Sequence, residues 1–225
     1  PTGFLSRIAK RLKRLVLSFN EIGHLDTNSF VNMEMLEILN LDHNYISSVR
    51  RRAFLGLNYL QILDLSHNRI EQLSVEQFSN LNSLRFLNLR RNHIRSLPRD
   101  VFKNTMLEHL DLSINEFVVM PAMAFSQIGF TLRYLDVSHN SIESIDSTMF
   151  QDIPFLLSLD LSSNKLTILS DNLFNSVGNL QVLDVSSNPV RANFKELLHY
   201  LPMARSLSMS NIGLKSFPYI PLRNL

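Results

Sequence analysis

The chain has 225 residues, 22 Lys+Arg against 20 Asp+Glu for a net charge of +2, and is 45% hydrophobic, with 15 Phe and no Trp. A charge so near neutral gives no general attraction to nucleic acid or anionic membrane. Six Gly and eight Pro are too few for a disordered or fibrous chain, and the lack of Cys removes disulfides, thiolate catalysis and cysteine metal sites.

The first residues, PTGFLSRIAKR, hold no apolar run long enough for a secretion signal. They read as the tail of a repeat, with Phe4 and Ile8 as its apolar remnants. From there a pattern L-x-x-L-x-L-x-x-N-x-I begins at Leu12, Leu36, Leu60, Leu84, Leu107, Leu132, Leu156 and Leu180, with a weaker copy at Ala204. The spacing is 24 residues except for one of 23 after Leu84 and one of 25 after Leu107. Numbering slots from the first Leu, the ninth slot holds Asn20, Asn44, Asn68, Asn92, Asn115, Asn140, Asn164 and Asn188. The nineteenth holds Phe30, Phe54, Phe78, Phe102, Phe125, Phe150 and Phe174.

Each slot has a physical reading. The L-x-L stretch alternates with the period of a half-buried strand, so one short strand per repeat predicts a stacked parallel sheet. The chain must then turn, leaving backbone groups that no strand pairs. Asn carries both donor and acceptor atoms, so the ninth-slot residues are predicted to form an internal ladder. The Phe residues are predicted to stack as a second apolar spine. No repeat can bury its own face, so stability comes from neighbours.

The longest uncharged stretch, residues 117–132, is interrupted by Pro121, is too short to span a bilayer, and fits the repeat. The eighth repeat departs after Asn188: Phe194, Leu197, Leu198 and Leu201 fall at helical spacing, predicting a short convex helix near 194–201, with Leu198 in the Phe slot. In the ninth repeat Ile212 holds the Asn slot, and Asn211 serves the ladder only if the backbone shifts by one. Leu222 and Leu225 read as the start of a tenth repeat. The expectation is one solenoid over residues 1–225, an internal piece of a longer array without caps.

The pattern LxxLxLxxNxIxxLxxxxFxxL over residues 12–217 resembles the extracellular leucine-rich repeat. The resemblance implies an α/β fold: a right-handed curved solenoid with a parallel concave β-sheet and a mostly irregular convex side. Among such proteins a long uninterrupted array is similar to chaoptin-type cell-adhesion proteins, with Toll-like receptor and Slit ectodomains as competitors. That implies a cell-surface protein, bound to the membrane by a lipid anchor outside this stretch.

On a concave sheet the third slot places Ile38, Ile62, Phe86, His109 and Tyr134 in an exposed stripe, a candidate protein-binding surface. The fifth slot holds Asp64 and, beyond Asn88, four consecutive carboxylates, Asp111, Asp136, Asp160 and Asp184, about 4.8 Å apart, where like charges repel unless a basic partner or nearby Ser hydroxyls relieve them. Arg90 and Arg91 are expected on the same face. His43 and His67 occupy the eighth slot of adjacent repeats with Asp42 and Asp64 nearby, but no third metal ligand can be placed. No metal or cofactor is expected.

With six Gly there is no nucleotide-binding or nucleophile-elbow motif, so an enzyme is not expected. None of the 22 Asn lies in an N-x-[ST] sequon, which weighs against the extracellular reading. Residues 1–105 carry 15 Lys+Arg and 9 Asp+Glu (+6), and residues 106–225 carry 7 and 11 (−4). Such a polarised array is self-complementary when antiparallel, setting Arg50, Arg51, Arg52, Arg90 and Arg91 against a partner's Glu143, Asp146, Asp152 and Asp171. The reading is therefore a protein-binding adhesion solenoid, its partner a protein or a second copy on an opposing cell, with no nucleic acid. A Toll-like ligand-binding ectodomain and an intracellular scaffold are the alternatives.

Overall fold

The computed structural model describes residues 8–215, so the apolar remnant at Phe4 and the tenth repeat expected at Leu222 and Leu225 lie outside the described residues. The first repeat supplies β1 (Arg14–Val16) and β2 (His24–Leu25), and the second supplies β3 (Ile38–Asn40) and β4 (Ser48–Val49). One strand per repeat follows: β5 (Ile62–Asp64), β6 (Phe86–Asn88), β7 (His109–Asp111), β8 (Tyr134–Asp136), β9 (Ser158–Asp160), β10 (Val182–Asp184) and β11 (Ser206–Ser208).

The strands at slots three to five form one nine-stranded parallel sheet in the order β1-β3-β5-β6-β7-β8-β9-β10-β11. Pairing runs slot to slot, as in Leu39 against Leu63. A slip of one residue would turn every inward Leu outward, so the hydrophobic pattern dictates register. The 23- and 25-residue repeats keep it as well, with Phe86 opposite His109 and His109 opposite Tyr134. Their length difference is absorbed in the turns. A smaller parallel pairing of β2 with β4 is continued at equivalent places by the bridges Val119–Ser144 and Ile168–Arg191.

The ladder forms as expected. The Ile46 N–H donates to Asn68 Oδ1 at 2.9 Å, while Asn68 Nδ2 donates to the carbonyls of Leu41, Leu65 and Ser66, each at 3.0 Å. Asn44, Asn92, Asn115, Asn140, Asn164 and Asn188 repeat this set. Asn20, exposed at the start of the array, bonds among the described residues only the Leu17 and Ser18 carbonyls of its own turn. At the other end no backbone shift recruits Asn211. That residue is exposed with φ +53, Ile212 is buried in the ladder slot, and the Val190 N–H turns to the Asn188 carbonyl instead.

The Phe spine stacks from Phe30 through Phe54 and Phe78 to Phe102, at centroid spacings of 6.0, 5.9 and 6.1 Å, and Phe150 tilts onto Phe174. Among the described residues no ring contact joins Phe125 to either neighbour. Phe125 closes a short helix, α1 (Ala122–Phe125), which the sequence reading did not anticipate. The expected convex helix is α2 (Phe194–His199). It buries Phe194 and Leu197, and leaves Leu198, the residue in the Phe slot, only partly buried. Among the described residues no helix is long and apolar enough to cross a membrane.

Candidate binding surfaces

The fourth slot points into the core and the third and fifth point away from it, so the sheet presents two side-chain columns. In the third-slot column Ile62, Phe86 and Tyr134 are 38%, 37% and 42% exposed, while Ile38 and His109 are half-buried. The Tyr134 and His109 rings stack at 4.1 Å, and Phe86 tilts onto His109 at 5.6 Å. Rings that stack side by side are held in place before any partner arrives.

The fifth-slot column is tied to the turn that follows each strand. Oδ1 of Asp64, Asp111, Asp136, Asp160 and Asp184 accepts the backbone N–H of the Ser two residues on, each at 2.8 Å. The relief expected from Ser hydroxyls is seen at Ser113, which donates to Asp111 at 2.6 Å. Burial pushes the Asp136 carboxyl above its ordinary range; Asp111 adds to this and Ser138 and Arg90 oppose it. Burial likewise raises Asp160, with Asp136 and Asp184 adding repulsion against the hydrogen bonds from Ser162. Asn40 and Asn88 make the same turn bond without a charge. Asp136→Asn should therefore keep the turn and raise the denaturation midpoint at neutral pH. A carboxyl with a raised folded pKa contributes most below its unfolded value near 3.9 and loses that as pH rises through the folded value. The substitution should flatten stability over that window, and chemical denaturation at pH 4 to 7 checks it.

Arg90 and Arg91 part company. Arg90 donates to Ser113 of the next repeat at 2.9 Å and acts on Asp136 over the sheet. Arg91 lies at the eighth slot, where Phe19, His43, His67, Arg91, Ile114, His139, Ser163, Ser187 and Asn211 all have φ between +51 and +57. Left-handed backbone disfavours side chains of this size, and its recurrence shows that the turn into the ladder imposes it.

This turn builds a groove of about 1110 Å³ beside the sheet, over the first five repeats. Phe19, His43 and His67 stack along it at 4.3 and 4.0 Å. Asp42 accepts from Ser18 at 2.5 Å and from His43 Nδ1 at 2.6 Å. Its burial raises its pKa, but these two bonds outweigh that and hold it below the ordinary value. Because His43 and His67 lie face to face, their nitrogens do not converge on one ion, and among the described residues no group of three metal-type ligands occurs. The eighth-slot spacing alone does not show this contact; the left-handed turn brings consecutive rings into stacking distance. Of the basic triplet, Arg51 is already paired with Glu76 at 3.2 Å, and Glu76 also binds Lys103 at 2.7 Å.

A family model described as leucine rich repeat matches residues 10–70, 35–94, 59–117 and 130–190. The chain belongs to the leucine-rich repeat family. The stretch between the matches, residues 118–129, contains α1 and the longer turn of the 25-residue repeat. A chain in a structure described as "Crystal structure of TLR13-ssRNA13 complex" aligns with a TM-score of 0.84 at 31% identity, over 92% of this chain and 30% of that one. This leucine-rich repeat chain thus spans about 30% of that chain's length. In all, 481 chains of solved structures match, so the fold is shared widely and does not by itself select a ligand. No curated protein sequence matches.

Proposed function

We propose that this leucine-rich repeat chain is a protein-binding segment of a cell-surface adhesion array, and that its partner docks on the concave stripe Ile38, Ile62, Phe86, His109 and Tyr134. The observation that carries this is the exposed, mutually stacked Phe86–His109–Tyr134 column on a rigid parallel sheet. Pre-ordered aromatics lose little entropy on binding and are the side chains that most often dominate interfaces. The Asp64, Asp111 and Asp136 column beside it favours a partner with basic groups and repels polyphosphate. Arg90 lies over the same sheet, and Arg91 flanks it from the groove. Extracellular placement and a lipid anchor belong to this proposal through the resemblance to chaoptin-type proteins.

Beads coated with the full-length protein test it. Phe86→Ala with Tyr134→Ala should weaken association by roughly thirtyfold or more, the scale of a hot-spot loss of about 2 kcal/mol. Unchanged association would remove the concave stripe from the interface. If the partner is a second copy, Arg50, Arg51 and Arg52→Glu should abolish association between like beads, and reversing the acidic residues of residues 106–225 on the opposing beads should restore it. Indifference to both changes would leave a different protein as the partner.

The likeness to the TLR13 complex favours a second reading, a ligand-binding ectodomain of Toll-like kind. That complex contains RNA, whereas the fifth-slot carboxylates here disfavour it on the sheet. A single-stranded oligoribonucleotide that binds the chain and is lost with Phe86→Ala and Tyr134→Ala would support that reading over adhesion.

A further inference from the structure

The groove beside the sheet has its own logic of charge. Its walls are the eighth-slot and tenth-slot residues of the first five repeats, with the ladder Asn between them. One end carries Glu21. The other carries Glu116, bound by His93 Nδ1 at 2.8 Å and by Arg95 Nε at 2.9 Å. Between these acidic ends lie His67, Arg69 and Arg91.

Among the described residues none of the three side chains is paired with a carboxylate. Arg51, Arg85 and Arg95 each pair with a carboxylate, but among the described residues neither Arg69 nor Arg91 has one within ion-pair distance. Arg69 lies over the Tyr45 ring, 4.4 Å from its centroid, which fixes the guanidinium without neutralising it. His67 has no side-chain hydrogen bond among the described residues. Burial lowers its pKa, and His43, Arg91 and Arg90 lower it further. Asp42 pulls the other way, but its carboxylate is occupied by Ser18 and His43. The middle of the groove thus holds two arginines, one of them fixed over Tyr45, and an imidazole that would gain a proton if a carboxylate arrived.

We propose that this groove binds an extended segment of a protein partner that is acidic at its centre and basic at its flanks, with the acidic group seated between Arg69 and Arg91 beside His67. This rests on reading the chain as a protein-binding module but uses a surface separate from the concave stripe. A single-stranded nucleic acid needs open ring faces for its bases and one sign of charge for its backbone. Here both faces of His43 and one face of His67 are spent within the stack, and Glu21 and Glu116 stand at the ends. A mixed-charge peptide needs neither open ring faces nor a single sign of charge. Its carboxylate stabilises protonated His67, so affinity is greatest where the carboxylate is ionised and the imidazole protonated, and falls as pH rises through the range where the imidazole deprotonates.

Calorimetric titration with two synthetic peptides of one composition tests this, one with Glu at the centre and Lys at both ends, the other with the order reversed. The Glu-centred peptide should bind about tenfold or more tightly than the reversed one, a difference of about 1.4 kcal/mol. Its affinity should fall between about pH 5.5 and about pH 7.5. Arg69→Ala with Arg91→Ala should erase the preference, and the two Lys variants should retain it. His67→Gln should remove the pH dependence and leave the preference. Tyr134→Ala should change neither, so failure of the concave interface and failure of the groove are told apart. Equal binding of the two peptides, binding of neither, or tighter binding of a single-stranded oligonucleotide with the same sensitivity to Arg69 and Arg91 would overturn the proposal.

Discussion

Asn92→Ala is expected to cost about 1–3 kcal/mol, with Asn20→Ala costing well under half of that. Asn92 accepts the Ile70 N–H at 2.9 Å and donates to the carbonyls of Leu65 and Leu89, both at 3.0 Å, and more weakly to Arg90. The carbonyls survive its loss, because Leu65 also accepts from Asn68, Leu89 from Asn115, and Arg90 from the His67 N–H. Among the described residues the Ile70 N–H has no second acceptor, and Ile70 is fully buried. One orphaned buried donor costs about 1–3 kcal/mol. Asn20 accepts no such N–H among the described residues, and the Leu17 carbonyl keeps Asn44. Urea denaturation of the two variants checks this, and equal midpoint shifts would refute the ladder's buried-donor role.

Gly129→Ala is expected to be at least as severe, about 3 kcal/mol or more. Gly129 has no left-handed φ, so its necessity is one of space. A Cβ there would fall on the carbonyl oxygen of Asp152 in the next repeat, with the Asp152 carbonyl carbon only 2.8 Å away. Both are backbone atoms, and neither can move without opening the contact between adjacent turns. Gly178→Ala is the matched control: nothing lies within 4 Å of its Cβ, and its φ is not left-handed. That substitution should be neutral or slightly stabilising, since Ala has fewer unfolded states than Gly. A Gly129→Ala chain that melts with Gly178→Ala would show that the turns there are looser than their packing indicates.

The repeat was legible because its rules are local. A period of 24 residues, a Leu that must point inward and an Asn able to both give and take a hydrogen bond specify the sheet, its register and the ladder before any contact is known. The short helix over 194–199 could be read for the same reason, its apolar residues falling at helical spacing. By contrast, α1 could not: it spans four residues, Ala122 to Phe125, too few to show a period. Nor could the end of the ladder, which turned on whether Asn211 or Ile212 took the slot. Burial favours the apolar side chain there, and an N–H without an Asn found a backbone carbonyl.

What the sequence determined alone, then, is the solenoid and the residues facing out of its sheet, because both follow from the repeating spacing of apolar and polar side chains. Only the tertiary structure decided which outward residues act together. Arg90 and Arg91 are neighbours in the chain, but one bonds Ser113 across the sheet and the other lines the groove. Phe19, His43 and His67 are 24 residues apart, yet they stack at 4.3 and 4.0 Å. The physical reason is the left-handed eighth residue of every turn. It sends that side chain beside the sheet rather than over it, and stacking of the repeats then brings equivalent positions to within contact distance.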